Sequence, residues 1–374
     1  MIATRATHSG QLERWLGHEA CENLSQAMKD WYGPPIAVSG VPGKVYVHKG
    51  GDFRGGIRSG MFASAMDRMD ELCVQAKYRW RRASKSKQLN AGFASLSDLI
   101  AEATSGKRVN FAFQKTGSTG VIAVTNSLYR LGSQPVAGSA PGNAPGGTVP
   151  VDSDAAYPTF TNPTGGDTLH FIRAESVASV AGNTLLLYDH IFGVNKTMNS
   201  TATEAVTGVP SRYQSTTGGA ADSAEGNFLF IQVGGTALAA TAHNWTVCQY
   251  TDQGGTTAVS LPSLTGNSGA IVDRLDHPTG QWFAPLASGD TGIKALTQMQ
   301  CSAAVATGVV WFMIGHPIAF CPCPLANFIC VTDGINTAFN LERIFDDAAL
   351  NLLEVVKPAT TSTTYNLNVF AAAG

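Results

Sequence analysis

The chain has 374 residues, 44% hydrophobic and only 14% charged, against roughly 25% charged in an ordinary soluble protein. That is enough apolar side chain for one large domain or two to three smaller ones and excludes wholesale disorder, while 40 glycines and 17 prolines are too few for a collagen-like or low-complexity chain. A net charge of −2 gives little colloidal repulsion, so the surface favours association.

Charge divides the chain in two. Residues 1–108 hold 16 Lys+Arg and 10 Asp+Glu (net +6), and residues 109–374 hold 9 and 17 (net −8). The first region reads as helical. From Gln11 to Trp31, the residues Leu12, Trp15, Leu16, Leu24 and Met28 recur at helical spacing. Gly33-Pro34-Pro35 breaks the pattern. Ile36–Val38, the turn signal Gly40-Val-Pro-Gly43 and the segment Lys44–His48 then predict a β-hairpin or extended loop. Next, Ile57, Met61, Ala65, Met69, Leu72, Cys73, Ala76 and Trp80 form one apolar stripe, predicting a long helix over 57–87. A short helix is expected from Leu96 to Thr104, capped by Ser97 and stopped by Gly106.

The texture changes after Val109. Phe111–Phe113 and Gly120–Thr125 read as strands, and residues 132–150 hold five glycines and four prolines in 19 positions, predicting a long irregular loop or arm. Further strands are expected at Thr184–Tyr188, Phe228–Val233, Trp245–Tyr250, Thr307–Ile314, Ile329–Thr332 and Leu352–Val356, with a late helix over Leu341–Leu350 capped by Asn340. The expected organisation is an arm and extended loop at 1–56, a long basic helix region at 57–108, strands and a Gly/Pro-rich arm at 109–168, and a β-rich body at 169–374. The fold class expected is α+β.

The opening MIATRATHSGQLERW lacks an apolar stretch, so no secretory signal is expected. Ala303–Phe320 is the most apolar run, but Gly315-His316-Pro317 interrupts it, and it reads as a buried strand followed by a turn instead of a membrane span. Seven scattered cysteines do not suggest a disulfide framework, and Cys321-Pro-Cys323 with Cys330 fits zinc spacing badly, so reduced, buried thiols are expected.

No motif names a reaction. His243 and the segment Gly266-Asn-Ser268-Gly269 are similar to the histidine and serine boxes of trypsin-like proteases, but 24 intervening residues are too few for one barrel of that fold. A strand-end histidine and a turn serine are expected instead. In Asp189-His190 and Asp276-His277, adjacent side chains on a strand point to different sides, so neither pair forms a dyad by itself. Phosphate-binding and dinucleotide-binding glycine loops are absent. The strongest charge signal is Lys77, Arg79, Arg81, Arg82, Lys85 and Lys87, with Tyr78 and Trp80 interleaved. It suits phosphate neutralisation without sequence reading, an intersubunit contact, or simply a solvated helix end.

The order of a helical arm (11–31), an extended loop (36–53), a spine-like helix (57–87), a weakly charged β-rich body and a closing helix and strand pair at 350–370 resembles virion structural proteins of tailed bacteriophages, above all their major capsid proteins. The segments LLLYDHIFGVNKTMNST (185–201) and DRLDHPTGQWFAPLASGDTGIK (273–294) share that texture. The body from 165 onward is more β-rich than such subunits, which leaves a jelly-roll coat or a capsid decoration protein as the alternative. The resemblance implies a non-enzymatic protein that self-assembles into a shell around the genome, located in the virion after assembly in the host cytoplasm. It implies no cofactor or metal. The partners would be copies of itself, other virion proteins and packaged nucleic acid bound non-specifically, and no membrane. The competing expectation is a decoration, tail or receptor-binding protein, with Gly280-Gln281-Trp282-Phe283 meeting a surface glycan.

Overall fold

The computed structural model describes residues 35–37, 46–48, 95–98, 100, 108–117, 123–277, 281–335, 341–356 and 362–374. The chain divides into two units, Met1–Lys85 and Ser86–Gly374. In the first, β1 (Pro35–Ala37) and β2 (Tyr46–His48) pair antiparallel with Ile36 opposite Val47, the hairpin expected around Gly40-Val-Pro-Gly43. The helices expected over 11–31 and 57–87 lie outside the described residues. Of the helix expected over 96–104, residues 96–98 and 100 are described and helical.

Among the described residues, the second unit is built from three antiparallel sheets. The central one runs β4 (Val124–Ser127), β17 (Leu350–Val356), β7 (Asn183–Thr197), β14 (Val309–Cys323), β9 (Phe228–Val233). A six-stranded sheet runs β15 (Cys330–Asp333), β6 (Leu169–Ala178), β18 (Thr364–Ala373), β3 (Arg108–Thr116), β5 (Ser133–Gln134), with β16 (Arg343–Ile344) also on β6. The third has β11 (Val259–Ser260), β10 (Asn244–Asp252), β13 (Ile293–Cys301) and β8 (Glu204–Ala205), with β12 (Leu264–Thr265) on β10.

The axis of the unit is the ribbon of β7 and β14, 15 residues each. Two bulges set its faces. Ile314 pairs with Phe192 and Gly315 with His190, leaving Ile191 unpaired; Pro317 pairs with Tyr188 and Ala319 with Leu187, leaving Ile318 unpaired. Each extra residue inverts the inward–outward alternation of its own strand and bends it. One face of the ribbon therefore meets the six-stranded sheet through Leu185, Leu187, Cys321 and Cys323, and the third sheet through Phe192, Val194, Phe312 and Ile314. Loops close the opposite face with Tyr129, Tyr157 and Leu275 over Leu186, Tyr188, Trp311 and Met313. Gly315 is required here because a Cβ would come within 2.7 Å of the Tyr188 ring.

Three expectations are corrected. The α+β class fails for the described residues, whose regular structure is almost all strand: the Thr/Val-rich, charge-poor sequence buries alternate side chains on stacked sheets. The late helix over Leu341–Leu350 is instead the short β16, a turn and the start of β17. Tertiary partners outcompete its helical propensity: Asp347 takes a left-handed φ of 58°, Asn162 donates to its carboxylate (2.7 Å), and the Ala349 amide donates to Asp189 (2.9 Å). The expected turn at Gly315-His316-Pro317 does not end the strand; β14 continues through it, because the bulges already interrupt the ladder where the proline lacks its donor.

The Gly/Pro-rich segment 132–150 packs on its own chain. Thr148 and Gly193 exchange amide–carbonyl bonds at 2.7 and 2.9 Å, and the Asn195 amide donates to Gly142 (2.9 Å). These contacts cover the edge of β7 that β17, ending its pairing at Asp189, leaves open. Among the described residues, no helix is long and apolar enough to cross a membrane.

Candidate functional site

Several of the body's buried ionisable side chains are tied to one another or to backbone. Asp189 is fully buried on β7, and the Arg212 fork donates to both its oxygens, Nε at 2.9 Å and Nη2 at 2.7 Å. The remaining guanidinium donors reach the carbonyls of Pro150 and His190, both at 3.1 Å. Adjacent His190 turns to the other face, as period-two alternation requires. Its Nε2 donates to the Phe192 carbonyl (3.0 Å), and its Nδ1 accepts from the Tyr157 hydroxyl (2.6 Å). Burial pulls its pKa down to about 3, which keeps the ring neutral in that tautomer. The pair Asp189-His190 thus serves two separate networks.

Asp276 collects three donors: His243 Nε2 (2.9 Å), Trp245 Nε1 (3.1 Å) and the Asn267 amide (2.6 Å). His243 Nδ1 faces the Thr241 carbonyl (3.0 Å), so both ring nitrogens donate and the imidazole is cationic. Burial opposes that charge, but the hydrogen bond and charge of Asp276 outweigh it and hold the His243 pKa above the ordinary value. No nitrogen remains to accept a proton from a serine. Ser268 lies exposed in a turn and His243 just precedes β10, the turn serine and strand-end histidine expected from the sequence. The His243–Asp276 contact went unpredicted, since 33 residues separate the two and nothing local signals it.

Lys196 pairs with Glu204 in the same manner. Lys115 is buried on β3 and donates to the carbonyls of Leu131 (2.8 Å) and Pro135 (2.7 Å), fastening the loop after β4; burial lowers its pKa to about 8.

Two carboxyls are less well compensated. Burial raises Glu354 on β17 to about 7 against the opposing influence of Tyr365 and of Asn126, whose Nδ2 donates to it at 3.2 Å. Burial likewise raises Asp273 to about 6 against the opposing influence of Arg130 (3.4 Å) and Gln232 (3.3 Å). A carboxyl raised on folding binds its proton more tightly in the native state. Its stabilising share is complete below the unfolded value, near 4, and is lost as pH rises through 6–7. Glu354→Gln is therefore expected to match the wild type at mildly acidic pH and to exceed it in stability above neutrality, by up to about 3 kcal/mol. Urea unfolding at the two pH values measures this; equal wild-type and variant stability at both would contradict it.

Two concavities flank these networks. Thr125, Asn267, Ser268, Arg274, His277 and Gln281 line a cavity of about 220 Å³ beside the His243–Asp276 pair. Its lining offers a guanidinium and polar side chains. A shallower groove of about 440 Å³ is walled by Phe228, Trp282, Phe283, Pro285 and Leu286, with Phe228 and Phe283 stacked at 4.9 Å. Asp290, at its rim, accepts from the Tyr250 hydroxyl (2.5 Å).

Among the described residues no cluster of three His, Cys, Asp or Glu is arranged to hold a metal. Cys321 and Cys323 are free and buried in the core, Cys330 is free and half-buried, and burial pushes the Cys321 thiol up to about 12. The basic residues Lys77, Arg79, Arg81, Arg82, Lys85 and Lys87 lie outside the described residues.

No protein-family model and no curated protein matches the chain. Among solved structures it is similar to that of the infectious bursal disease virus Gt strain (9% identity, 71% of this chain and 79% of that chain, TM-score 0.16). A second is the VP2 subviral particle of infectious bursal disease virus (11% identity, 71% and 80%, TM-score 0.14). A third is the VP1 pentamer of human polyomavirus 6 (9% identity, 70% and 95%, TM-score 0.12). TM-scores this low carry no inference about function.

Proposed function

We propose that the chain is a structural subunit of a virus particle, a bacteriophage shell protein that associates with copies of itself to enclose the genome. The observation that carries this reading is how the body spends its charge. Asp189–Arg212, His243–Asp276, Lys196–Glu204 and Lys115 act as internal fasteners in stacked sheets, while the sequence leaves few charges for the surface. A rigid, charge-poor β body suits the broad, weakly charged interfaces of closed assemblies. The texture of residues 185–201 and 273–294 supports a phage virion, and the basic residues 77–87 supply the chemistry for non-specific contact with packaged nucleic acid. Negative-stain imaging of the purified full chain is expected to show closed particles or rings. A dispersed monomer at every concentration would contradict it.

The aromatic groove favours a second reading, a virion surface protein that binds a glycan by stacking sugar faces on Trp282 and Phe283. A glycan array showing binding that Trp282→Ala abolishes would favour it; an array without hits, with shells formed by the chain alone, would remove it.

A further inference from the structure

Half of the large hydrophobic side chains exposed among the described residues fall within twelve consecutive positions. They are Phe320 (50%), Leu325 (57%), Phe328 (61%), Ile329 (58%) and Val331 (48%), running from the end of β14 through the joining segment into β15. Residues 317–332 contain no charged side chain. β15 is the outermost strand of the six-stranded sheet. It pairs with β6 in the register Cys330 opposite Ser176 to Asp333 opposite Arg173, and no described strand pairs with its other edge. Exposed edges are ordinarily blunted by a charged side chain, a proline or a bulge; here the flanking Pro324 lies outside β15 and the strand's one charge, Asp333, stands at its last residue.

The segment is held in place from beneath. The Thr332 hydroxyl donates to the Phe320 carbonyl (3.0 Å), the Ser176 hydroxyl lies 3.1 Å from the Pro322 carbonyl and 3.3 Å from that of Cys330, and the Asn327 amide donates to Ala178 (2.7 Å). The ring of Trp282 meets Phe320 edge-on at 5.7 Å and extends the apolar surface towards the aromatic groove. The hydrophobic side chains are thus displayed on a preformed support, which lowers the entropy cost of docking.

We infer that the β15 edge and its apolar surroundings are a homotypic docking surface, occupied by the same edge of a second copy of this chain. The inference rests on the shell-subunit reading and names the surface through which that association runs. The five side chains leave on the order of 500 Å² of apolar surface in water, at the upper end for a monomer, and together with the strand backbone approach the ~800 Å² that each partner of a stable interface contributes. An edge whose one charge is at its end meets its own copy with little like-charge repulsion and offers little to a strongly charged partner. Antiparallel pairing about a two-fold axis is self-complementary, joins the two six-stranded sheets across the contact, and places Asp333 of one copy away from Asp333 of the other.

The test compares the full-length wild type with Phe328→Lys/Val331→Lys by sedimentation velocity, with thermal unfolding of both as the control for folding. The variant is expected to keep the wild-type transition and to weaken association about 30-fold or more. Hydrogen exchange on the wild type, which needs no variant, is expected to show the β15 amides more protected at high than at low protein concentration. Unchanged association in a folded variant would overturn the inference while leaving the shell reading intact. Protection of β15 independent of concentration would show the edge covered within one chain and would overturn it equally. A wild type that never associates would overturn both.

Discussion

Replacing Arg212 with leucine is expected to lower the unfolding free energy by about 3–5 kcal/mol, among the largest effects of any single change in the body. The guanidinium is the sole cation on Asp189 among the described contacts, and it also satisfies the carbonyls of Pro150 and His190. Without it a fully buried carboxylate keeps only the Ala349 amide (2.9 Å), and two carbonyls lose their donor. Arg212→Lys should fall between, because an ammonium cannot reproduce the two-pronged contact. Asp189→Leu/Arg212→Leu should cost less than the sum of the single changes, since neither charge is then stranded. Urea unfolding of the four proteins measures this. A loss below about 1 kcal/mol for Arg212→Leu, the level of an exposed pair, would mean that the contact is not a fastener.

The second large effect is expected at the His243–Asp276 pair. Asp276→Ala strands an imidazolium, an indole N–H and the Asn267 amide together, at a cost of about 3–5 kcal/mol. Gly266→Ala should be comparably damaging by sterics alone: its Cβ would come 2.1 Å from His243 Nε2, and Thr241 and Asp276 hold the ring from both sides. The pH dependence has a definite sign. The folded pKa of His243 lies above its ordinary value of 6.5, so the pair's contribution is complete below that value and is lost as pH rises through the folded one. The wild type should lose this share on the alkaline side, whereas Asp276→Ala should lack that loss. Because Glu354 and Asp273 slope the same way, the pH profile of Asp276→Ala/Glu354→Gln separates the contributions. A difference between wild type and Asp276→Ala that does not vary with pH would contradict a cationic His243.

The strands with strong β-branched or aromatic runs and clear flanking turns were legible in the sequence. Phe228–Val233 is β9 as expected, and Trp245–Tyr250 lies inside β10. The longer strands were cut short by their own irregularities. Gly315-His316-Pro317 carries ordinary stop signals, and only the pairing partner, with Ile191 bulged opposite, shows that β14 passes through them. LERIFDDAAL has a helical spacing of apolar residues, but Ala348, Ala349 and Leu350 are each buried, and the Ala349 amide is bound by Asp189, 160 positions away. The expected α+β class drew on helices at 11–31 and 57–87, outside the described residues, and on that late helix. Where the Gly/Pro-rich arm packs was not legible, because its anchors, Gly193 and Asn195, are distant in sequence and make main-chain contacts that leave no residue pattern. The site chemistry followed the same division. That Asp189 and His190 diverge was readable from strand alternation; that Arg212 and His243 are the cations on Asp189 and Asp276 was not, since each contact spans a loop of no fixed length.

The charge-poor β body is expected to associate with copies of itself through apolar contact. Light scattering on the purified full chain, over a range of concentrations at low and at high salt, reads this out. The expected mass is a multiple of the 39.2 kDa chain that persists at high salt, because apolar contacts are not screened by ions. A mass of 39.2 kDa at every concentration, or an assembly that salt disperses, would contradict it.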